Sequence, residues 1–70
     1  MTFDQLLGDI KGLECSRNQR QIDCFSAKIR EQWGGHGHTV FQAALMQDPD
    51  DNYYIPDQYD RFTIASLIAS

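Results

Sequence analysis

Phe62-Thr63-Ile64-Ala65-Ser66-Leu67-Ile68 decides the architecture, because it supports two different folds. As a helix, its apolar residues leave no clean polar face, and such a helix must be buried on several sides. As a strand, Phe62, Ile64 and Ile68 share one face while Thr63, Ala65 and Leu67 share the other, and both faces need cover. The choice depends on what the rest of the chain supplies.

Upstream, helix signals dominate. Thr2 with Gln5, Ser16 with Gln19, and Thr39 with Gln42 fit the capping-box spacing, in which each side chain satisfies a backbone N–H of the other residue. Apolar residues at helical spacing follow each pair. Phe3, Leu6, Leu7, Ile10 and Leu13 predict a helix over 3–14, and Ile22, Phe25, Ile29 and Trp33 predict a second over 17–33. Gly34-Gly35 ends the second helix, and Gly37 keeps the next stretch irregular. Val40, Phe41, Ala44 and Leu45 predict a short third helix over 40–47, stopped by Pro49. Asp57, after Pro56 and before Asp60, marks the start of a fourth. The chain is therefore expected to be mostly α, a small bundle of three to four short helices. The alternative is an α+β fold with two N-terminal helices and a small C-terminal antiparallel sheet. That sheet would pair 40–46 with 53–55 and add 62–68.

Seventy residues make one domain. A chain this short buries only roughly 60% of its unfolded surface, so its core is small. A hydrophobic content of 41% still supports such a core and argues against disorder. No apolar run approaches the length of a membrane span. The N-terminal stretch carries Asp4, Asp9 and Glu14 without the basic residues of a signal peptide, so a cytoplasmic location is expected.

The charge is unevenly placed. Five cations balance five acids over residues 1–31, whereas residues 32–70 hold only Arg61 against Asp48, Asp50, Asp51, Asp57 and Asp60. All of the net charge of −4 thus lies in the second half. Non-specific nucleic-acid binding needs clustered excess cations and is not expected. An acidic half is instead suited to a basic protein surface.

Three surfaces are candidates for partner contacts. Asp48, Asp50, Asp51, Tyr53, Tyr54 and Asp57 interleave acids with tyrosine, a residue enriched at interface hot spots. Arg17, Arg20, Cys24 and Lys28 form a basic stripe opposite the apolar face of the second helix. Cations beside a thiol favour the thiolate, which makes Cys24 a candidate reactive cysteine, although an ordinary solvated face, or docking against the chain's own acidic loop, explains the stripe more simply. The third surface is the C-terminal segment. Ile64 and Ile68 with Phe62 and Leu67 offer apolar surface in more than one direction, so a second copy of the chain is a candidate partner.

Other constellations fall short. Cys15 and Cys24 are separated by most of two turns of helix on this reading, too far to bridge, so both are expected as free thiols. His36 and His38 with these cysteines lack the close ligand pairs of a structural zinc site. The Asp48 to Asn52 stretch opens like a calcium loop, but Tyr53 and Tyr59 stand where glycine and glutamate are needed. No cofactor or metal is therefore expected. Arg17-Asn18-Gln19-Arg20-Gln21 has base-reading residue types, which makes a helical transcription regulator the secondary expectation. No nucleophile elbow, phosphate loop or zinc-protease motif occurs, and no enzyme activity is expected. The leading expectation is a small acidic protein-binding module that inhibits or regulates a partner by occlusion, by analogy with the small inhibitors of phages and mobile elements.

Overall fold

The first capping box forms. The Gln5 N–H donates to Thr2 Oγ1 at 3.2 Å, and the Thr2 N–H donates to Gln5 Oε1 at 2.8 Å. They open α1 (Phe3–Gly12), which buries Leu6 and Ile10. The computed structural model describes residues 1–70 and continues with α2 (Gln19–Ala44), β1 (Met46–Gln47), β2 (Tyr53–Tyr54) and α3 (Arg61–Ala69). The fold is mostly α, 64% helical, with three helices and a small two-stranded antiparallel sheet.

The second box forms two residues later than the sequence suggests. Asn18 and Gln21 cap α2, not Ser16 and Gln19. The cause is long-range: Arg17 exchanges both backbone hydrogen bonds with Tyr53, at 2.8 and 2.7 Å, which holds the preceding chain extended. Asn18 is then the first residue free to cap.

α2 is a helical hairpin. Only Gly34 departs from helical backbone, at φ 75° and ψ −166°, and it divides the helix into arms 19–33 and 35–44. In a straight helix residues 26 and 42 would stand about 24 Å apart. Here Gln42 Nε2 donates to the buried Ser26 Oγ at 2.6 Å, so the arms fold back on each other. The second arm starts well before the expected residue 40, which corrects two expectations. Gly37 is not a breaker but a buried helical residue: a Cβ there would lie 2.9 Å from Trp33 Cβ and 3.0 Å from the Ile68 carbonyl oxygen. The Thr39 box does not form, because Thr39 lies inside the helix and donates to the Gly35 carbonyl at 2.9 Å.

At Leu45 the backbone turns extended and the hairpin begins, pairing Met46 with Tyr54 and Gln47 with Tyr53. The other edge of β2 is also engaged, by Arg17 and by the Ile55 N–H donating to the Leu13 carbonyl at 3.0 Å. Residues 62–68 do not join this sheet. They form α3, capped by Asp60, whose carboxylate accepts from the Thr63 N–H, rather than by Asp57. α3 packs on both α1 and α2, and that two-sided cover is what its apolar sequence requires. The core draws Leu6, Ile10 and Leu13 from α1 and its end, Ile22, Ile29 and Phe41 from α2, and Ile64, Ala65 and Ile68 from α3. No helix is long and apolar enough to cross a membrane.

Candidate binding site: an acidic loop beside an apolar groove

The loop between β1 and α3 is built by two charged side chains. Asp48 organises its first bend. Its Oδ1 accepts from the backbone N–H of Asp50 and of Asn52, both at 2.9 Å, while its own N–H donates to the Asn52 carbonyl at 2.8 Å. Asp51 adopts a left-handed φ of 63°, which aspartate tolerates better than most residues. The Asn52 N–H, helped by the Ser16 hydroxyl and the Asp50 N–H, holds the Asp48 carboxyl below its usual range, because these bonds favour the charged form.

Arg61 organises the second bend. Its guanidinium donates to the carbonyls of Ile55 at 2.7 Å, Tyr59 at 3.3 Å and Pro56 at 3.5 Å. It also meets Asp57 at 3.7 Å, the chain's one ion pair, where Asp57 remains almost fully exposed. Arg61 was not singled out from the sequence. Its signal was available: it is the only cation in the acidic half and stands four residues after an aspartate.

These bends place Tyr59 beside a groove between the second arm of α2 and α3. Val40, Ala43, Ala44, Tyr59, Ile64 and Leu67 line it, and it encloses about 280 Å³ without one charged side chain. Tyr59 and Leu67 are 41% and 51% exposed. Asp57 and Asp60 flank Tyr59 along the chain and are exposed. A larger concavity of about 480 Å³ lies between α1 and the first arm of α2. Its lining of Met1, Gln5, Asp9, Lys28, Glu31 and Gln32 mixes both charges and includes one hydrophobic residue, Met1.

The sequence-derived candidates separate. Asp50, Asp51 and Asp57 are exposed on the loop, whereas Asp48, Tyr53 and Tyr54 are half-buried, with Asp48 and Tyr53 bonded into the scaffold. In the stripe, Arg20, Cys24 and Lys28 are exposed, but Arg17 is half-buried and donates to the Gly12 carbonyl at 3.3 Å. Cys15 and Cys24 are exposed free thiols. Ile64 and Ile68 are 6% and 0% exposed, because α3 turns them into the core; Ile64 still reaches the floor of the groove, whereas Ile68 offers no contact surface. The exposed apolar residues of α3 are Phe62 and Leu67, one on each flank of the helix. Phe62 is occupied in part by an edge-to-face contact with Phe3, 5.9 Å between centroids. Leu67 faces the groove. His36 and His38 lie two apart on the second arm, about 200° around it, so they diverge and cannot chelate one ion together. Comparison with protein-family models, curated proteins and solved structures finds no match for the chain.

Proposed function

We propose that the protein is a non-enzymatic binding module that covers a basic surface of a partner protein, and inhibits or regulates that partner by occlusion. The observation that supports this reading is the pairing of an uncharged apolar groove with the exposed carboxylates of Asp57 and Asp60. A side chain entering the groove covers Leu67 and Tyr59, and burying one such aliphatic residue is worth about 1.5–3 kcal/mol. The flanking acids contribute differently: rim charges mainly speed association and select the sign of the partner. The occupant is therefore a cationic protein segment that carries an aliphatic or aromatic side chain, most simply an amphipathic helix of leucine and lysine. Phosphate backbones meet repulsion here, so nucleic acid is the wrong class of ligand. The module works in the cytoplasm, where reducing conditions keep Cys15 and Cys24 as thiols.

The test uses two synthetic helical peptides with the same leucine spacing, one with lysine and one with glutamate on the polar face. Amide chemical shifts of the labelled protein report the site. The lysine peptide is expected to move Ala43, Tyr59 and Leu67, with an effect that weakens as salt is added. Equal response to both peptides, or shifts confined to Arg20 and Lys28 on addition of duplex DNA, would overturn the reading.

A further inference from the structure

We infer that Gly34 is the hinge of a domain exchange, through which two copies of the chain swap halves by straightening α2. The hinge is one residue long. Helical backbone runs up to it and resumes at once after it, and its own φ and ψ alone turn the chain. The close approach of Gly37 to Trp33 Cβ is a product of that bend, since residues four apart on a straight helix do not crowd in this way.

The core is divided at the same point. Of its eleven residues, five (Leu6 to Ile29) precede Gly34 and six (Phe41 to Ile68) follow it. Neither half holds the whole core alone, so each completes it with a complementary half. The polar links also cross the hinge: Arg17 with Tyr53, Leu13 with Ile55, and Ser26 with Gln42. All of them form equally well whether the second half belongs to the same chain or to a neighbour. Exchange therefore conserves the main interactions of the fold. Monomer and exchanged dimer differ at the hinge and in the entropy of association.

The hinge sets the balance. A φ of 75° with ψ near −166° is open to glycine and almost closed to other residues. Glycine at 34 and 35 also weakens a straight helix. Both effects keep the wild-type chain folded back on itself when dilute. A side chain at position 34 reverses both, penalising the bend and favouring one helix of 26 residues, roughly 39 Å long.

The experiment refolds Gly34→Ala from denaturant and measures its mass by light scattering after gel filtration. At micromolar concentrations wild type is expected to be a monomer and the variant a dimer of unchanged helix content, with an unfolding midpoint that rises with concentration. Gly35→Ala serves as the control, since its φ is not positive and nothing lies within 4 Å of the added Cβ; it stays monomeric. Inserting Gly-Ser-Gly-Ser directly after the substituted position of Gly34→Ala restores the turn and the monomer, because lengthened hinges disfavour exchange. Leu67→Asp leaves the dimer intact, which separates exchange from association through the groove. If Gly34→Ala does not fold, wild type refolded at millimolar concentration must yield a separable dimer that the same insertion after Gly34 abolishes. A Gly34→Ala monomer that is merely less stable, a dimer that survives the insertion or breaks with Leu67→Asp, or a wild type that never dimerises would overturn the inference.

Discussion

The tip of α2 and the loop after β1 both turn the chain, by opposite means. At the tip of α2, side chains are absent: Gly34 takes a φ few residues can, and Gly37 lets the second arm lie against Trp33 and the Ile68 backbone. In the loop after β1, side chains are present: Asp48 and Arg61 supply the bonds that the turning backbone cannot make for itself. A bend built from missing atoms fails by collision. A bend built from polar bonds fails by leaving buried groups unpaired, and that difference ranks the variants.

Removing the guanidinium has the largest expected effect. Arg61→Met leaves the Ile55 carbonyl without its donor and frees Tyr59 from its position. Hydrogen bonds to charged groups contribute about 1.5–3 kcal/mol each, so a loss near the top of that range is expected in urea unfolding. Arg61→Lys retains the charge but not the fork, and is expected to recover only part of it. Next comes Gly37→Ala. The added Cβ meets Trp33 Cβ and a backbone oxygen, neither of which is the free end of a side chain, and overpacking of this kind costs about 1–3 kcal/mol. A Gly37→Ala protein as stable as wild type would mean that the arms do not cross so closely.

Acid titration separates the two bends further. The Asp48 carboxyl titrates below its ordinary value in the folded chain, so its contribution is present above the unfolded value and lost as pH falls through the folded one. Thermal midpoints should drop on acidification below about pH 4, and Asp48→Asn should remove part of that drop while leaving the turn in place. An identical pH profile for the variant would show that Asp48 does not hold the loop. The smallest effect is at Gly35, whose substitution by alanine should raise stability by about 0.4–1 kcal/mol through the unfolded state.

What the sequence disclosed follows the range of the interactions. The start and the buried face of α1 were legible, because Thr2, Gln5 and the Leu6–Ile10 face act within a few residues of one another; the helix ends at Gly12 rather than at 14. The start of α2 was misplaced by two residues, because Arg17 is held by Tyr53 far along the chain. Gly37 has the same composition as a breaker, and only the neighbouring α3 makes it a packing residue. Residues 62–68 satisfied helix and strand alike until α1 and α2 provided two covering surfaces. That cover also explains why Ile68 is core and why Ile64 shows only its edge to the groove. In the site, the acids were visible and the groove was not. Val40, Ala43 and Ala44 meet Tyr59 and Leu67 only after the chain has turned through the loop that Asp48 and Arg61 hold.

The claim that the groove and its acidic margin form one binding surface is tested most directly by calorimetric titration of the lysine–leucine peptide. Wild type, Leu67→Asp and the Asp57→Asn/Asp60→Asn pair are compared at low and physiological salt. The groove variant is expected to lose tenfold or more in affinity, about 1.4 kcal/mol, at both salts. The charge variant should lose affinity mainly at low salt, where rim charges are least screened. Undiminished binding by Leu67→Asp would contradict the account.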